Sequence, residues 1–187
     1  MSSSRQNLLR TLAHKSFRLG EFKLSSGGTS DYYIDCRTTT LDAKGSRLTG
    51  EVFYEEIKQR GWKAQAIGGL TMGADPVAFV TAGVAATKGR MLKAFSVRKE
   101  VKDHGGGGRI AGALDPGDKV VVTEDTVTRG TSLLEAAHAI QEAGAEVVLL
   151  VAVVDRGGTA EAMAAAEGIP FRAILTAPDL GFDYEGA

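Results

Sequence analysis

Residues 119–154 constrain the fold more than any other part of the chain. Residues 119–123 are mostly Val, residues 132–141 repeat apolar positions at helical spacing, and residues 146–154 are an almost unbroken run of Val, Leu and Ala. Strand, helix and strand in that order make a βαβ unit, in which the two strands lie parallel. Strands without polar alternation need cover on both faces. The expected architecture is therefore α/β, a parallel sheet with helices on both faces. Other runs extend it. Residues 64–67 read as a strand ending at Gly68-Gly69, Asp75 and Pro76 as the N-cap and first residue of a helix, and residues 91–97 as a further strand. Near the amino end, Leu8, Leu9, Leu12 and Phe17 share a helical face, and residues 32–36 suit a short strand. Asp42 caps a helix carrying Leu48, Val52, Phe53 and Ile57, which Gly61 stops. Ser132 with Glu135 spells a capping box for a helix closed by Gly144.

Composition narrows the classes. At 187 residues, 43% hydrophobic and 24% charged, the chain fits one domain spanning 1–187 and is not disordered. Twenty-two basic against 23 acidic residues give a net charge of -1, so no nucleic-acid partner held by bulk positive charge is expected. Cys36 is the single cysteine, and with His14, His104 and His138 scattered it supports neither an internal disulfide nor a structural zinc site. No apolar run reaches membrane-spanning length, and residues 1–5 lead into no signal-like segment. A soluble cytoplasmic domain without a membrane partner is expected.

Residues 120–132 carry the strongest chemical signal. A buried strand delivers Glu124 and Asp125 to its carboxyl end, and Thr126, Val127, Thr128, Arg129, Gly130, Thr131 and Ser132 lead into a helix. Ligands of open α/β sheets bind at the carboxyl ends of strands. A Gly/Thr/Ser turn into a helix N-terminus offers N–H groups and hydroxyls to a phosphate. Carboxylates beside such a cradle suit a ligand that also presents donors, as a ribose 5-phosphate does with its diol. The plain alternative is a strand-Asp-loop with an ordinary capped helix. The chain has no G-x-x-x-x-G-K-[ST] loop and no G-x-G-x-x-G after a strand, so nucleoside triphosphate and dinucleotide readings lack their anchors.

Three weaker segments accompany it. Residues 98–109 gather Arg98, Lys99, Lys102, His104 and Arg109 around four consecutive Gly. They read either as a solvated surface loop or as a lid closing on a polyanion. Residues 68–73 read as a tight Gly connection or a second backbone nest for pyrophosphate. Asp155 and Arg156 end the strand beside the acidic pair; Asp155 can pair with Arg156, and Arg156 is also a bidentate carboxylate reader. His14 and His138 have no suggested partner, Trp62, Tyr32 and Tyr33 read as packing residues, and Asp183 and Glu185 as a frayed, solvated tail.

Together these segments resemble the orotate phosphoribosyltransferases of the type I phosphoribosyltransferase superfamily. Residues 120–132 are similar to its phosphoribosyl-pyrophosphate signature. Residues 22–35, beginning Phe22-Lys23-Leu24-Ser25-Ser26-Gly27 and ending Tyr33-Ile34-Asp35, resemble the amino-terminal orotate motif, and residues 98–105 the catalytic loop. The resemblance implies an N-terminal hood from residues 1–40 and a mobile catalytic loop at 99–113. It implies that Arg98, Lys99, Lys102 and His104 meet pyrophosphate, with Lys102, His104, Arg98 and Asp125 catalytic. Glu124 and Asp125 would hold the ribose hydroxyls, residues 126–132 the 5-phosphate, and Thr128 and Arg156 orotate. Mg²⁺ would arrive mainly with phosphoribosyl pyrophosphate (PRPP), and the chain would form a homodimer with shared active sites. Three positions depart from the pattern: Ser25 stands where some members place a Lys, Arg129 replaces a small residue, and Gly106 lengthens the Gly run. The rivals are transfer to another base, as in purine salvage, and a PRPP-sensing RNA-binding regulator.

Overall fold

The computed structural model describes residues 3–23, 29–59, 63–101 and 108–185. Helix α1 (Ser3–Lys15) leads into strands β1 (Phe17–Lys23) and β2 (Thr29–Ile34), which pair antiparallel in a small sheet of their own. Leu8 and Leu12 of α1 are buried as expected, but Phe17 lies in β1. There it joins Tyr32 and Phe182 in an aromatic cluster with ring centroids 4.5–5.2 Å apart. A short α2 (Arg37–Thr40) precedes α3 (Ala43–Gln59). Asp42 caps α3 as expected, its Oδ2 accepting the Gly45 N–H at 3.1 Å. Gly61 and Trp62 lie outside the described residues.

The remainder builds the main layer. Strands β3 (Ala66–Leu70), β4 (Lys93–Val97), β5 (Ile110–Gly112), β6 (Lys119–Val127), β7 (Glu146–Asp155) and β8 (Phe171–Thr176) stand in the order β5-β4-β3-β6-β7-β8. All neighbours are parallel except β5, which runs antiparallel to β4. Helices α4 (Ala74–Thr87), α5 (Thr131–Glu142) and α6 (Ala160–Ala166) complete the crossovers. Alternation along the strands sorts the core into two layers. Ile67, Val121, Leu149, Val151 and Val153 pack with α1, α3 and α4 residues such as Leu8, Phe53 and Val77. Ala66, Val120, Val122, Leu150 and Ala152 pack with Leu133, Ile140 and Ala164 of α5 and α6. Both faces are thus covered, as the apolar runs require. Truncating a fully buried side chain such as Phe53 to Ala costs about 3–5 kcal/mol.

Several boundaries differ from expectation. β3 continues through Gly68 and Gly69 because neighbouring atoms need the space: a Cβ on Gly68 would lie 2.6 Å from the Phe95 ring, and one on Gly69 2.1 Å from the Thr123 carbonyl oxygen. Asp75 and Pro76 fall inside the first turn of α4, whose N-cap is Gly73. β6 runs four residues past Thr123, because its ladder with β7 holds as far as Val127 opposite Asp155. The capping box does not form: α5 starts from Gly130 at φ +85° with no side-chain cap, and Glu135 instead pairs with Arg109. Gly144 closes α5 at φ +84°, as expected. Among the described residues no helix is long and apolar enough to cross a membrane.

Candidate active site

The order in which strands are added to the sheet reverses between β3 and β6, which run parallel. From β3 the chain crosses to β4 on one side, whereas β6 leads to β7 and β8 on the other. Such a switch point opens a crevice at the carboxyl ends of the strands. A cavity of about 450 Å³ lies there, lined by Leu70, Thr71, Met72 and Gly73 after β3, and by Glu124, Asp125, Thr126 and Ser132. Tyr33 and Ile34 of β2, Asp35 just after it and Arg37 of α2 close it from the other side, and Lys99 reaches it from the segment after β4.

The acidic pair occupies the cavity floor. Glu124 is 6% exposed and Asp125 is half-buried. Glu124 Oε1 accepts the Asp125 N–H at 3.1 Å, and Asp125 Oδ1 accepts the Thr126 N–H at 2.7 Å. Both carboxylates face Gly73, where a Cβ would lie 2.4 Å from Glu124 Oε1 and 2.6 Å from Asp125 Oδ1. Loss of water on burial, then the charge of Asp125, pushes the Glu124 carboxyl far above its ordinary value. Burial likewise raises Asp125. Two desolvated acids at one spot give the empty site a strong demand for hydrogen-bond donors or positive charge. Asp75 adds to that field, as a further contributor to the rise of Glu124, while accepting the Thr71 hydroxyl proton at 2.6 Å.

Opposite the pair, Arg37 forks onto Asp35, its Nε 2.8 Å from Oδ1 and a terminal nitrogen 3.1 Å from Oδ2. This contact holds the Asp35 carboxyl below the usual carboxylate range. Arg37 was not singled out by sequence, although a charged D-x-R step directly after an apolar strand was available as a signal. Tyr33 lines the cavity and packs at the surface on Phe22, ring centroids 5.5 Å apart, whereas Tyr32 is buried as expected. Cys36 is buried, its thiol pushed up by desolvation, and accepts the Thr126 hydroxyl at 3.1 Å. It serves as a packing link between this wall and β6.

The remaining expected residues are distributed as follows. Ser132, freed from capping, points to the cavity, while Arg129 and Thr131 are exposed. The Val127 side chain is buried in the core, so a ligand meets only its backbone. Thr128 is half-buried, outside the cavity lining, and its carbonyl accepts the Thr159 hydroxyl at 3.0 Å. Arg98 and Arg109 clasp each other's backbone at the foot of the basic loop, and Arg98 donates to the Gly108 carbonyl at 3.3 Å. Arg109, paired with Glu135, is not available to a polyanion as expected. Lys102, His104 and Gly106 lie outside the described residues, as does Ser25.

Arg156 brings the largest correction. Asp155 does not pair with it; Asp155 Oδ1 accepts the N–H groups of Gly157 and Gly158 at 3.1 and 3.0 Å, which turns the chain after β7. The partner of Arg156 is Glu185, and their side chains are only 8% and 10% exposed. Glu185 also accepts the Ser30 hydroxyl, and Tyr32 donates its hydroxyl to the Asp183 carbonyl at 3.4 Å. The supposed frayed tail is docked.

The acidic floor at the switch point, beside a hydroxyl-bearing helix start, has the arrangement that the resemblance to type I phosphoribosyltransferases implies. None of the protein-family models matches the chain. Among curated proteins, orotate phosphoribosyltransferase of Corynebacterium glutamicum is 49% identical over 164 residues, spanning 88% of this chain and 86% of the relative. That of Streptomyces avermitilis is 44% identical over 184 residues, spanning 98% and 100%. A crystal structure of Mycobacterium tuberculosis H37Rv orotate phosphoribosyltransferase in complex with 5-phospho-α-D-ribosyl 1-diphosphate superposes with a TM-score of 0.80 at 38% identity, covering 96% and 99% of the two chains. The chain belongs to the orotate phosphoribosyltransferase family.

Proposed function

We propose that the chain transfers the 5-phosphoribosyl group from PRPP to orotate, giving orotidine 5′-monophosphate and pyrophosphate, a step of de novo pyrimidine biosynthesis. The observation that carries this reading is the buried Glu124–Asp125 pair facing Gly73 in the switch-point cavity. A ribose diol supplies the donors this pair lacks, and Thr126 near the end of β6 and Ser132 in the first turn of α5 flank the turn that would cup the 5-phosphate. Lys99, with Arg98, Lys102 and His104, would meet the pyrophosphate, and Thr128 and Arg156 the orotate. Positive charge develops on the sugar ring as pyrophosphate departs, and acidic groups beneath the ring stabilise it. Orotate is itself the nucleophile, so the protein aligns the reactants, offsets leaving-group charge and excludes water. Of the segment 99–113, the part within the Arg98–Arg109 clasp would close over the site as a lid, residues 110–112 being held in β5, and the segment 1–40 would form its hood, within a single domain. The rooting of the loop in the Arg98–Arg109 clasp supports that division.

Mg²⁺ belongs to the proposal as a companion of PRPP. Among the described residues no three His, Cys, Asp or Glu side chains gather into a cation cage. The cavity does offer the carboxylates Glu124 and Asp125, oxygen donors of the kind that Mg²⁺ uses alongside substrate phosphates. Bound there, the ion would neutralise pyrophosphate charge. A homodimer, supported by the exposed apolar side chains Leu41 and Phe79 outside the cavity, and a cytoplasmic location complete the reading. Loss of orotate absorbance on adding PRPP and Mg²⁺ tests the activity. Equal turnover of adenine or hypoxanthine would overturn the choice of base.

A further inference from the structure

We infer that Glu185 is a specificity-determining residue for orotate: its carboxylate holds the place of the substrate's carboxylate on Arg156 and yields that place when orotate binds. The inference rests on the proposed role of Arg156 in reading orotate.

Position comes first. Arg156 follows β7 directly, and its N–H is bonded to the Val127 carbonyl at 2.8 Å, one residue before Thr128. Its guanidinium lies 5.1 Å from the Tyr32 ring centroid and 3.4 Å from the Tyr32 carbonyl oxygen. The next residues of that strand, Tyr33 and Ile34, line the cavity. The only carboxylate shown on this guanidinium, among the described residues, is the chain's own Glu185.

The pairing is incomplete. Arg156 Nε and Glu185 Oε2 are both buried without a hydrogen-bond partner among the described residues. One oxygen therefore bonds the guanidinium, while an N–H and the second oxygen pay desolvation unrewarded. A planar carboxylate that engages two guanidinium N–H groups side by side removes the orphan donor. Glu185 is thus good enough to neutralise a buried cation in the empty enzyme and poor enough to be exchanged.

The tail is built to let the side chain leave without unseating the backbone. Glu185 N–H donates to the Arg156 carbonyl at 3.0 Å, and the Tyr184 ring packs where a Cβ on Gly158 would sit 2.8 Å away. The Phe182 ring packs at a tilt against both Phe17 and Tyr32, its centroid 4.5 and 4.7 Å from theirs. None of these contacts uses the Glu185 carboxylate. A pyrimidine lacking a carboxylate has nothing to exchange for it, and must either leave Glu185 in place or strand the guanidinium.

The test compares full-length wild type, Glu185→Gln, Arg156→Gln and the double variant by steady-state kinetics. Glu185→Gln is expected to lower the orotate KM roughly tenfold, the weight of one charge-assisted contact, with the PRPP KM unchanged. In the Arg156→Gln background the same change should have no effect. An unchanged or raised orotate KM in Glu185→Gln, with Arg156→Gln raising it strongly, overturns the inference and leaves the Arg156 role standing. An orotate KM unaffected by Arg156→Gln removes that role itself. Should Glu185→Gln fold poorly, a crystal of the wild type with orotate decides. The Glu185 carboxylate beyond hydrogen-bond reach of Arg156 supports exchange, and its retention there refutes it.

Discussion

Replacing Glu124 by Gln should make the empty protein more stable and a worse enzyme, and the gain should depend on pH. In the folded chain the Glu124 carboxyl is pushed up to about 8, by burial first and by the Asp125 charge second. An acid whose folded value is raised binds more protons folded than unfolded, so stability falls as pH climbs from the ordinary carboxylate value towards about 8. Each pH unit in that window costs ~1.4 kcal/mol, giving a total on the order of 3–5 kcal/mol once the group is ionised. Gln keeps the shape and removes the titration. At ~2–4 °C per kcal/mol for a domain this size, Glu124→Gln should melt at least ~6 °C above wild type at pH 8 and close to it at pH 5. Calorimetry without ligand, at half-unit pH steps, reads this directly. The same variant should bind PRPP at least ~10-fold more weakly, having lost a charge-assisted acceptor for the diol. Parallel melting curves at all pH values would refute the account of a desolvated, mutually repelling pair.

Other outcomes are expected from the same geometry. Lys102→Ala should lower kcat at least ~10-fold while the orotate KM changes little, as read from single-variant kinetics. Gly73→Ala has no backbone conflict at φ −62°, yet its methyl meets both acid side chains; PRPP KM should rise ~10-fold or more with orotate KM nearly constant. Gly157→Ala would place a Cβ 1.8 Å from the Thr128 carbonyl oxygen, so chemical denaturation should show a loss of ~1–3 kcal/mol or more. Mixing the impaired Lys102→Ala and Asp125→Asn chains should raise turnover above that of either variant alone if the two groups act across a homodimer.

The sheet and its acidic floor were legible because they are written locally. Val-rich runs at 119–123 and 146–154 leave few alternatives to buried parallel strands, and Glu124-Asp125 interrupts the first at a point where water-seeking groups need a cavity. What was misread depended on partners distant in sequence. β6 extends past its apolar run because β7 continues to pair with it. Ser132 and Glu135 have the spacing of a capping box, but Arg109 draws Glu135 away from the helix start. Glu185 looks like a polar end residue until Arg156, buried 29 positions earlier, claims it. Local patterns record which groups avoid water; they do not record which charge a folded chain brings to meet another.

The mutual backbone clasp of Arg98 and Arg109 sets a tether length. Four peptide links separate Arg98 from Lys102, and five separate His104 from Arg109, so their α-carbons stay within about 14 Å and about 18 Å of the respective anchors. Any reaction centre served by these two side chains, in the same subunit or an adjacent one, must fall within that radius extended by the length of the side chain. The clasp thereby sets, from covalent length alone, an outer limit on where the residues between its two anchors can act.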